Sequence, residues 1–242
     1  MSVEDPSNYG EKCADIYDDW YQTCEPGLIR TLDDLAQGGR ALELGIGTGR
    51  IALPLVASGI EVHGIDSSPS MAEKLRAKPG GDRIPVKIGN FADVDVQGSF
   101  SLIFIVFNTF YGLLSQDEQV LCFQNVANHL SENGVFLIEA FVPNPQYFDR
   151  GQFVRTAKLE DDHVRLDVAL NDVANQKLNV RHIIISEEGT RLYPTVIRYA
   201  WPSELDLMAR LAGLRLRHRW SGWNRESFTS DSVKHISVYE KE

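Results

Sequence analysis

The chain has 242 residues, 43% of them apolar, and a formal net charge of −10 from 24 basic and 34 acidic residues. That length suits one large α/β domain with an elaboration, and the apolar fraction allows a sizeable core. An acidic field with no Lys/Arg block repels phosphates and anionic headgroups, so neither nucleic acid nor a membrane surface is expected as a partner.

The first predicted element is an amphipathic helix over 8–24. Tyr9, Cys13, Ile16, Tyr17, Trp20 and Cys24 fall on one face at helical spacing. Asn8 with Glu11 three residues on is a candidate capping pair, and Pro26-Gly27 ends the helix. Strands and helices then alternate. Strands are predicted over 40–44, 61–65, 85–89, 101–107 and 135–140. Helices are predicted over 51–57, over 69–77 with Ser67 or Ser68 as N-cap, and over 117–130, broken by Asn133-Gly134. Repeated β–α units predict a parallel sheet with helices on both faces, and the apolar run 102–107 suits a central strand.

The pattern changes after Pro143 and Pro145. Four strand-like runs, 154–159, 164–170, 177–185 and 191–201, predict an antiparallel insertion with turns at Asp161-Asp162 and Glu188-Gly189. Pro202-Ser203-Glu204 opens a helix that Gly213 stops, and strands over 214–220 and 235–239 complete the sheet. The expected organisation is a lid helix over 1–28, a doubly wound core over 29–142, the insertion over 143–202 and closing elements over 203–242.

Cys13, Cys24 and Cys122 are odd in number and form no C-x-x-C pair, the usage of a reducing cytosol. The chain opens on acidic, polar residues, so no secretory leader is expected, and 102–107 is too short to span a bilayer. No His or acidic cluster has ligand spacing, so no metal is expected.

The most informative stretch is Glu43-Leu44-Gly45-Ile46-Gly47-Thr48-Gly49-Arg50, a strand end followed by three glycines at alternate positions. The dinucleotide fingerprint is G-x-G-x-x-G, built for a pyrophosphate on a helix N-terminus. Here the spacing is G-x-G-x-G. With Glu43 before it, the run resembles motif I of the class I S-adenosylmethionine-dependent methyltransferases, in which the turn holds a zwitterionic amino-acid tail. The resemblance implies a Rossmann-like seven-stranded α/β sheet, S-adenosyl-L-methionine as cofactor, and cofactor contacts from Glu43, Gly45, Gly47 and Gly49.

In open α/β sheets ligands bind beyond the carboxyl ends of the strands. Asp66 ends the second strand, 17 residues past Gly49, about the spacing of a ribose-binding acid; a helix N-cap is the other reading. Ser67 is assigned to the cofactor with it. The resemblance places Met71 on the adenine, against ordinary core packing. At the third strand end the family commonly has Gly-Asp, whereas this chain has Gly89-Asn90. An amide can accept the adenine amino group without charge assistance, and Phe91 follows. After the fourth strand the resemblance makes Phe107 part of the cofactor floor and lets Asn108 orient the acceptor, with a turn cap as the alternative. Phe110 and Tyr111 are candidates for the acceptor wall.

The N-terminal helix is the expected lid. Tyr9 and Tyr17, eight residues apart, share a face and are candidates for catalysis, and Tyr21 for substrate contact; plain packing is the other reading. Among the histidines, His63 reads as core and His129 as a helix end. His163, His182, His218 and His235 lie in the β-rich or terminal strands, and His182 alone is kept as a possible substrate contact. Arg215, Arg217 and Arg219 alternate along one strand, as a solvated face.

A narrower resemblance follows from Phe107-Asn108-Thr109, Ile138 to Pro143, Arg191-Leu192-Tyr193-Pro194 and Tyr199 to Leu205. The chain is similar to actinobacterial small-molecule N-methyltransferases of the lincosamide type and, more distantly, to amino-sugar N-methyltransferases. This implies in-line methyl transfer to an amine of a secondary metabolite, with the insertion as substrate wall, homo-oligomer contact or both. O- or C-methylation of an aromatic acceptor, a non-catalytic cofactor-binding protein and a nicotinamide oxidoreductase are the rival readings.

Overall fold

The structure, a computed structural model, describes residues 7–242, with side chains from Tyr9 onward. It opens with two short helices, α1 (Ser7–Cys13) and α2 (Tyr17–Trp20), where the periodicity predicts one. Cys13 and Ala14 are buried with Met71 and Tyr193, whereas Asp18 accepts from Thr48 Oγ1 at 2.6 Å. The turn at 14–16 lets both anchors form. The expected capping partner Asn8 has its side chain outside the described residues. The Glu11 carboxylate goes elsewhere, to the hydroxyls of Ser68 and Ser70.

Next comes α3 (Leu28–Ala36), in a stretch for which no element is predicted. Its Leu28, Leu32, Leu35 and Ala36 recur on one helical face and are buried. The doubly wound core follows: β1 (Ala41–Leu44), α4 (Ala52–Ala57), β2 (Val62–Asp66), α5 (Pro69–Arg76), β3 (Val86–Ile88), β4 (Phe100–Ile105), α6 (Gln116–His129) and β5 (Leu130–Phe141). A capping box of Ser115 and Glu118 starts α6. The Asn133-Gly134 pair lies inside β5, which leaves α6 directly, so the helix ends before that pair is reached.

The insertion is a separate four-stranded antiparallel sheet of β6 (Gln152–Leu159), β7 (His163–Asp172), β8 (Lys177–Ser186) and β9 (Gly189–Arg198), in chain order. The chain then returns through α7 (Pro202–Leu211), β10 (Leu214–Trp220) and β11 (Lys234–Lys241). The main sheet has the order β10-β11-β5-β4-β1-β2-β3, with β11 antiparallel to both of its neighbours. This is the Rossmann-like seven-stranded arrangement that motif I implies. The order reverses between β1 and β4, which places a binding crevice at their carboxyl ends.

Both faces of the sheet are apolar. Phe123, Phe136, Met208 and Tyr239 belong to the cluster under α6 and α7, and Leu32, Leu55, Leu102 and Phe104 to the cluster under α3 and α4. No helix among the described residues is long and apolar enough to cross a membrane.

Two expectations are corrected here. A bulge between Leu216 and His218 shifts the phase of β10. Arg215 and Arg217 reach Glu240, but Arg219 turns inward and pairs with Asp206 at 2.6 Å. Phe110 and Tyr111 do not wall the acceptor site. They lie in the 3-10 turn Thr109–Gly112, which rotates both side chains fully into the core. The Tyr111 hydroxyl shares its proton between the carbonyls of Ala200 (2.9 Å) and Phe141 (3.0 Å), tying the main sheet to the chain leaving the insertion. Tyr111→Phe should therefore cost about 1–2 kcal/mol of stability in urea titrations while leaving acceptor KM unchanged; a changed KM with unchanged stability would restore the wall reading.

Candidate active site

The site begins at the carboxyl end of β1. Gly45, Gly47 and Gly49 all take positive φ, at 76°, 56° and 78°. A Cβ on Gly45 would strike Thr109, and one on Gly49 would strike Leu75, whereas one on Gly47 would meet nothing within 4 Å. The first and third glycines thus permit close packing, and the middle one bares its backbone to the hollow. The Gly47 N–H donates to Asp66 Oδ2 at 2.7 Å, and the Ser68 N–H donates to Asp66 Oδ1 at 2.8 Å. Burial pushes the Asp66 carboxyl up, and those backbone donors oppose the shift. The N-cap of α5 is Ser68, whose Oγ accepts from the Met71 N–H at 3.2 Å.

Glu43 lies behind the turn, 3% exposed. Its Oε2 has no hydrogen-bond partner among the described residues. Burial raises its carboxyl well above the ordinary value, against the pull of Arg50. It lines a small hollow of about 30 Å³ with Tyr17, Gly45, Gly47 and Arg50. An orphaned buried carboxylate oxygen beside bare backbone is a donor set that fits an amino-acid tail, because an ammonium supplies the missing partner.

At the end of β4, Phe107 and Asn108 are consecutive non-glycine residues with positive φ, 59° and 64°. Such strain persists only where the surroundings over-determine it. The Phe107 N–H donates to Glu139 Oε2 at 3.0 Å, the Asn108 N–H to the Glu139 carbonyl at 3.2 Å, and the Phe141 N–H to Asn108 Oδ1 at 2.7 Å. The Asn108 oxygen thus ties the turn to the end of β5 and makes no cap bond within the turn, and its amide nitrogen is left for the cavity. Glu139, buried and also bonded by Trp223 Nε1 (3.3 Å) and Lys234 Nζ (3.3 Å), fixes this floor.

These strand ends open into one cavity of about 540 Å³. Of the predicted residues, Gly45, Gly47, Asp66, Ser67, Met71 and Phe91 line its core side. Phe107 and Asn108 form its floor, and Tyr9, Tyr17, Tyr21 and His182 close it from above. Gly49 does not line it, being packed against Leu75. Neither does Asn90, whose Oδ1 accepts from the Ala92 N–H at 2.9 Å and shapes the turn after β3. Met71 is both core and wall, since it also packs on Cys13 and Ala14.

The lid is aromatic inside and acidic outside. Tyr21 meets Phe107 at 4.7 Å between centroids, Tyr17 meets Tyr21 at 5.0 Å, and Trp20 meets Tyr193 of the insertion at 5.2 Å. Gly10 permits close approach of α1, because a Cβ there would lie 2.6 Å from Ser68 Cβ. Glu11 bonds the start of α5 through Ser68 Oγ (2.6 Å) and the Ser70 N–H (3.1 Å), a favourable place for a carboxylate. Asp18 adds an ion pair to Lys78 at 2.7 Å. Burial pushes the Tyr17 phenol up to about 12 and raises Tyr9 well above its ordinary value, so both hydroxyls keep their protons at neutral pH.

Sequence reasoning missed the polar roof. Arg155, Arg165, Asp167 and Thr195 of the insertion line the cavity with His182. The signal available was the alternation Val164-Arg165-Leu166-Asp167-Val168, whose ordinary form is a half-buried strand with its polar face to solvent. The roof is the reverse: its charged face turns to the cavity.

The match to known proteins agrees with this geometry. Residues 41–134 match a family model described as a methyltransferase domain. The structure of the CcbJ methyltransferase from Streptomyces caelestis superposes with a TM-score of 0.91 at 40% identity, over 98% of this chain and 99% of that one. The cypemycin N-terminal methyltransferase of a Streptomyces species is 26% identical over 99% of this chain and 100% of its own length. A dTDP-4-amino-2,3,4,6-tetradeoxy-D-glucose N,N-dimethyltransferase from Saccharopolyspora spinosa is 27% identical over 78% of this chain and 79% of its own. The chain belongs to the S-adenosylmethionine-dependent methyltransferases.

Proposed function

We propose that this enzyme methylates an amine nitrogen of a small secondary metabolite of the antibiotic type. The observation that carries the reading is the cavity of about 540 Å³ beneath the lid and roof. It has a cofactor half at the strand ends and a second half, under the lid and roof, with room for a compact acceptor. The Saccharopolyspora spinosa relative, whose name specifies nitrogen as the methylated atom, and the relative named for a peptide N-terminus support the choice of an amine.

S-adenosylmethionine supplies an electrophilic methyl group on a sulfonium whose departure leaves a neutral thioether. Glu43 accepts from the ammonium of its amino-acid tail, and the Gly47 backbone faces that tail. Asp66 accepts from the ribose hydroxyls with its remaining lone pairs, while Ser67, Met71 and Phe91 border the adenine. Phe107 and the Asn108 amide floor the transfer point. Tyr9, Tyr17 and Tyr21 exclude water, and the Tyr9 and Tyr17 hydroxyls orient the acceptor in their neutral form. Positioning and desolvation supply most of the acceleration that such a displacement needs.

We also place the enzyme in the cytosol, as its unpaired Cys13, Cys24 and Cys122 suggest. A second copy of the chain is our candidate cover for the outer face of the insertion. There Val154, Leu170 and Leu192 are 66%, 56% and 58% exposed.

The test is incubation with S-adenosylmethionine carrying a ¹³C methyl group and a panel of amine and hydroxyl acceptors. Carbon resonances of N-methyl groups are expected, and O-methyl products alone would contradict the reading. Asp66→Ala should weaken S-adenosylhomocysteine binding at least about ten-fold by calorimetry; unchanged affinity would remove Asp66 from the site. Tyr17→Phe should lower turnover more than cofactor affinity, and a silent variant would reduce Tyr17 to packing.

Glu43 gives a pH signature in the ligand-free protein. Its folded pKa lies above the ordinary 4.5, so the native state holds the proton more tightly than the unfolded chain. Stability is then lost as pH rises above that ordinary value. Glu43→Gln abolishes the loss, so its Tm relative to wild type should climb as pH rises above that ordinary value. A difference flat with pH in scanning calorimetry would contradict the burial of the Glu43 carboxyl.

A further inference from the structure

The roof carries a carboxylate–imidazole pair aimed at the acceptor half of the cavity. Asp167 on β7 stands opposite His182 on β8, and His182 opposite Tyr193 on β9. Directly opposed residues of antiparallel strands share a face. Asp167 is 4% exposed. Its Oδ1 accepts from His182 Nδ1 at 2.7 Å, and its Oδ2 accepts from Arg155 Nε (3.2 Å) and a terminal nitrogen of Arg155 (3.0 Å). Arg165 Nε lies 3.7 Å from Oδ1. Burial pushes the Asp167 carboxyl up, but the bonds from His182 and Arg155 outweigh it and hold it below the ordinary value, so it stays ionised. An ionised acceptor at Nδ1 fixes the proton there and leaves Nε2 with its lone pair. Nε2 has no protein partner among the described residues. The ring lies edge-on to Tyr9 and Trp20, at 6.2 and 6.1 Å between centroids.

An amine acceptor reaches this cavity as an ammonium, which has no lone pair to attack with. The other lining groups are poor proton acceptors. Tyr9 and Tyr17 already hold their protons, and Asp66 stands at the glycine turn in the cofactor half, away from the roof. We propose that His182 Nε2 takes the proton from the acceptor ammonium, with Asp167 as its positioning residue; this rests on the amine reading above. The N–H bond of the ammonium breaks, its electron pair stays on the amine nitrogen, and an Nε2–H bond forms. The amine pair then forms the C–N bond as the C–S bond breaks, and the C–S bonding pair remains on sulfur. The imidazolium returns its proton to solvent when the lid opens. The charged and titratable groups around the ring are Asp167 and Arg165 on β7, Arg155 on β6, Tyr193 on β9 and Tyr9 on α1.

The test compares wild type, His182→Gln and Asp167→Asn on one amine acceptor across pH, with S-adenosylhomocysteine affinity as the control for folding. General base catalysis contributes about 10²–10⁴-fold, so His182→Gln should lose at least about ten-fold in kcat/KM near pH 7 with unchanged cofactor affinity. The loss should shrink at about pH 10, where the acceptor is already neutral. Imidazole nitrogen NMR of the ligand-free protein gives a second readout. Neutral His182 should carry its proton on Nδ1 in wild type, and this preference should weaken in Asp167→Asn. A His182→Gln profile matching wild type on an amine, or a neutral His182 protonated on Nε2, overturns the proposal alone. Turnover of hydroxyl acceptors only overturns the amine reading and the proposal with it.

Discussion

The hydrogen bond between the Gly47 N–H and the Asp66 carboxylate, 2.7 Å long, is the constraint on which the site depends. It joins the turn after β1 to the end of β2 at the place where the strand order reverses. The Gly45 and Ile46 N–H groups go to the Ile65 carbonyl, and the Gly47 N–H, turned away from it, needs a side-chain acceptor at the same strand end. Asp66 accepts one from Gly47 and another from Ser68, bracing two loops with one charge. The brace keeps the middle glycine bare and the hollow open. It also explains why the acid sits at 66: one position earlier, its side chain would point to the other face of the sheet.

Closure over that hollow rests on weaker forces. Fastened to α5 and the glycine turn, the lid relies on Glu11, Asp15 and Asp18, pairing with Ser68, Lys74 and Lys78. Pairs this exposed contribute little each. The apolar seam is small: Cys13, Ala14, Met71 and Tyr193, with Trp20 and Ile184 beside them. So light a fastening suits the proposed role of a lid, which has to open for product and spent cofactor to leave. The seam also touches all three parts of the chain. Met71 belongs to the core, Cys13 to the lid and Tyr193 to the roof, so closing the lid on one shapes it on the other.

How much of this was legible follows from where the physics is local. The glycine spacing, Glu43 and Asp66 could be placed from sequence because turn geometry and strand ends dictate them. The lid tyrosines were legible as one helical face, although the break at 14–16, which comes from two separate anchor points, was not. Helix α3 had a readable period at Leu28, Leu32, Leu35 and Ala36. Phe110 and Tyr111 were misplaced because a 3-10 turn, unmarked by any glycine or proline before them, rotates them into the core. The insertion was the hardest case. Alternation in β7 and β8 gives two faces but not which one meets the rest of the molecule. Roof polarity is therefore inverted relative to an ordinary half-buried sheet. Glu139 and Asp167 were invisible for the same reason: their partners, the Phe107 N–H and His182, come from other strands.

The account stands on the glycine turn and Asp66 holding an amino-acid-bearing nucleoside instead of a dinucleotide. Calorimetric titration of the wild-type protein with S-adenosylhomocysteine, and separately with NADH, tests this most directly. One-to-one binding of S-adenosylhomocysteine with no heat from NADH is the predicted result. Binding of NADH with none of S-adenosylhomocysteine would contradict it.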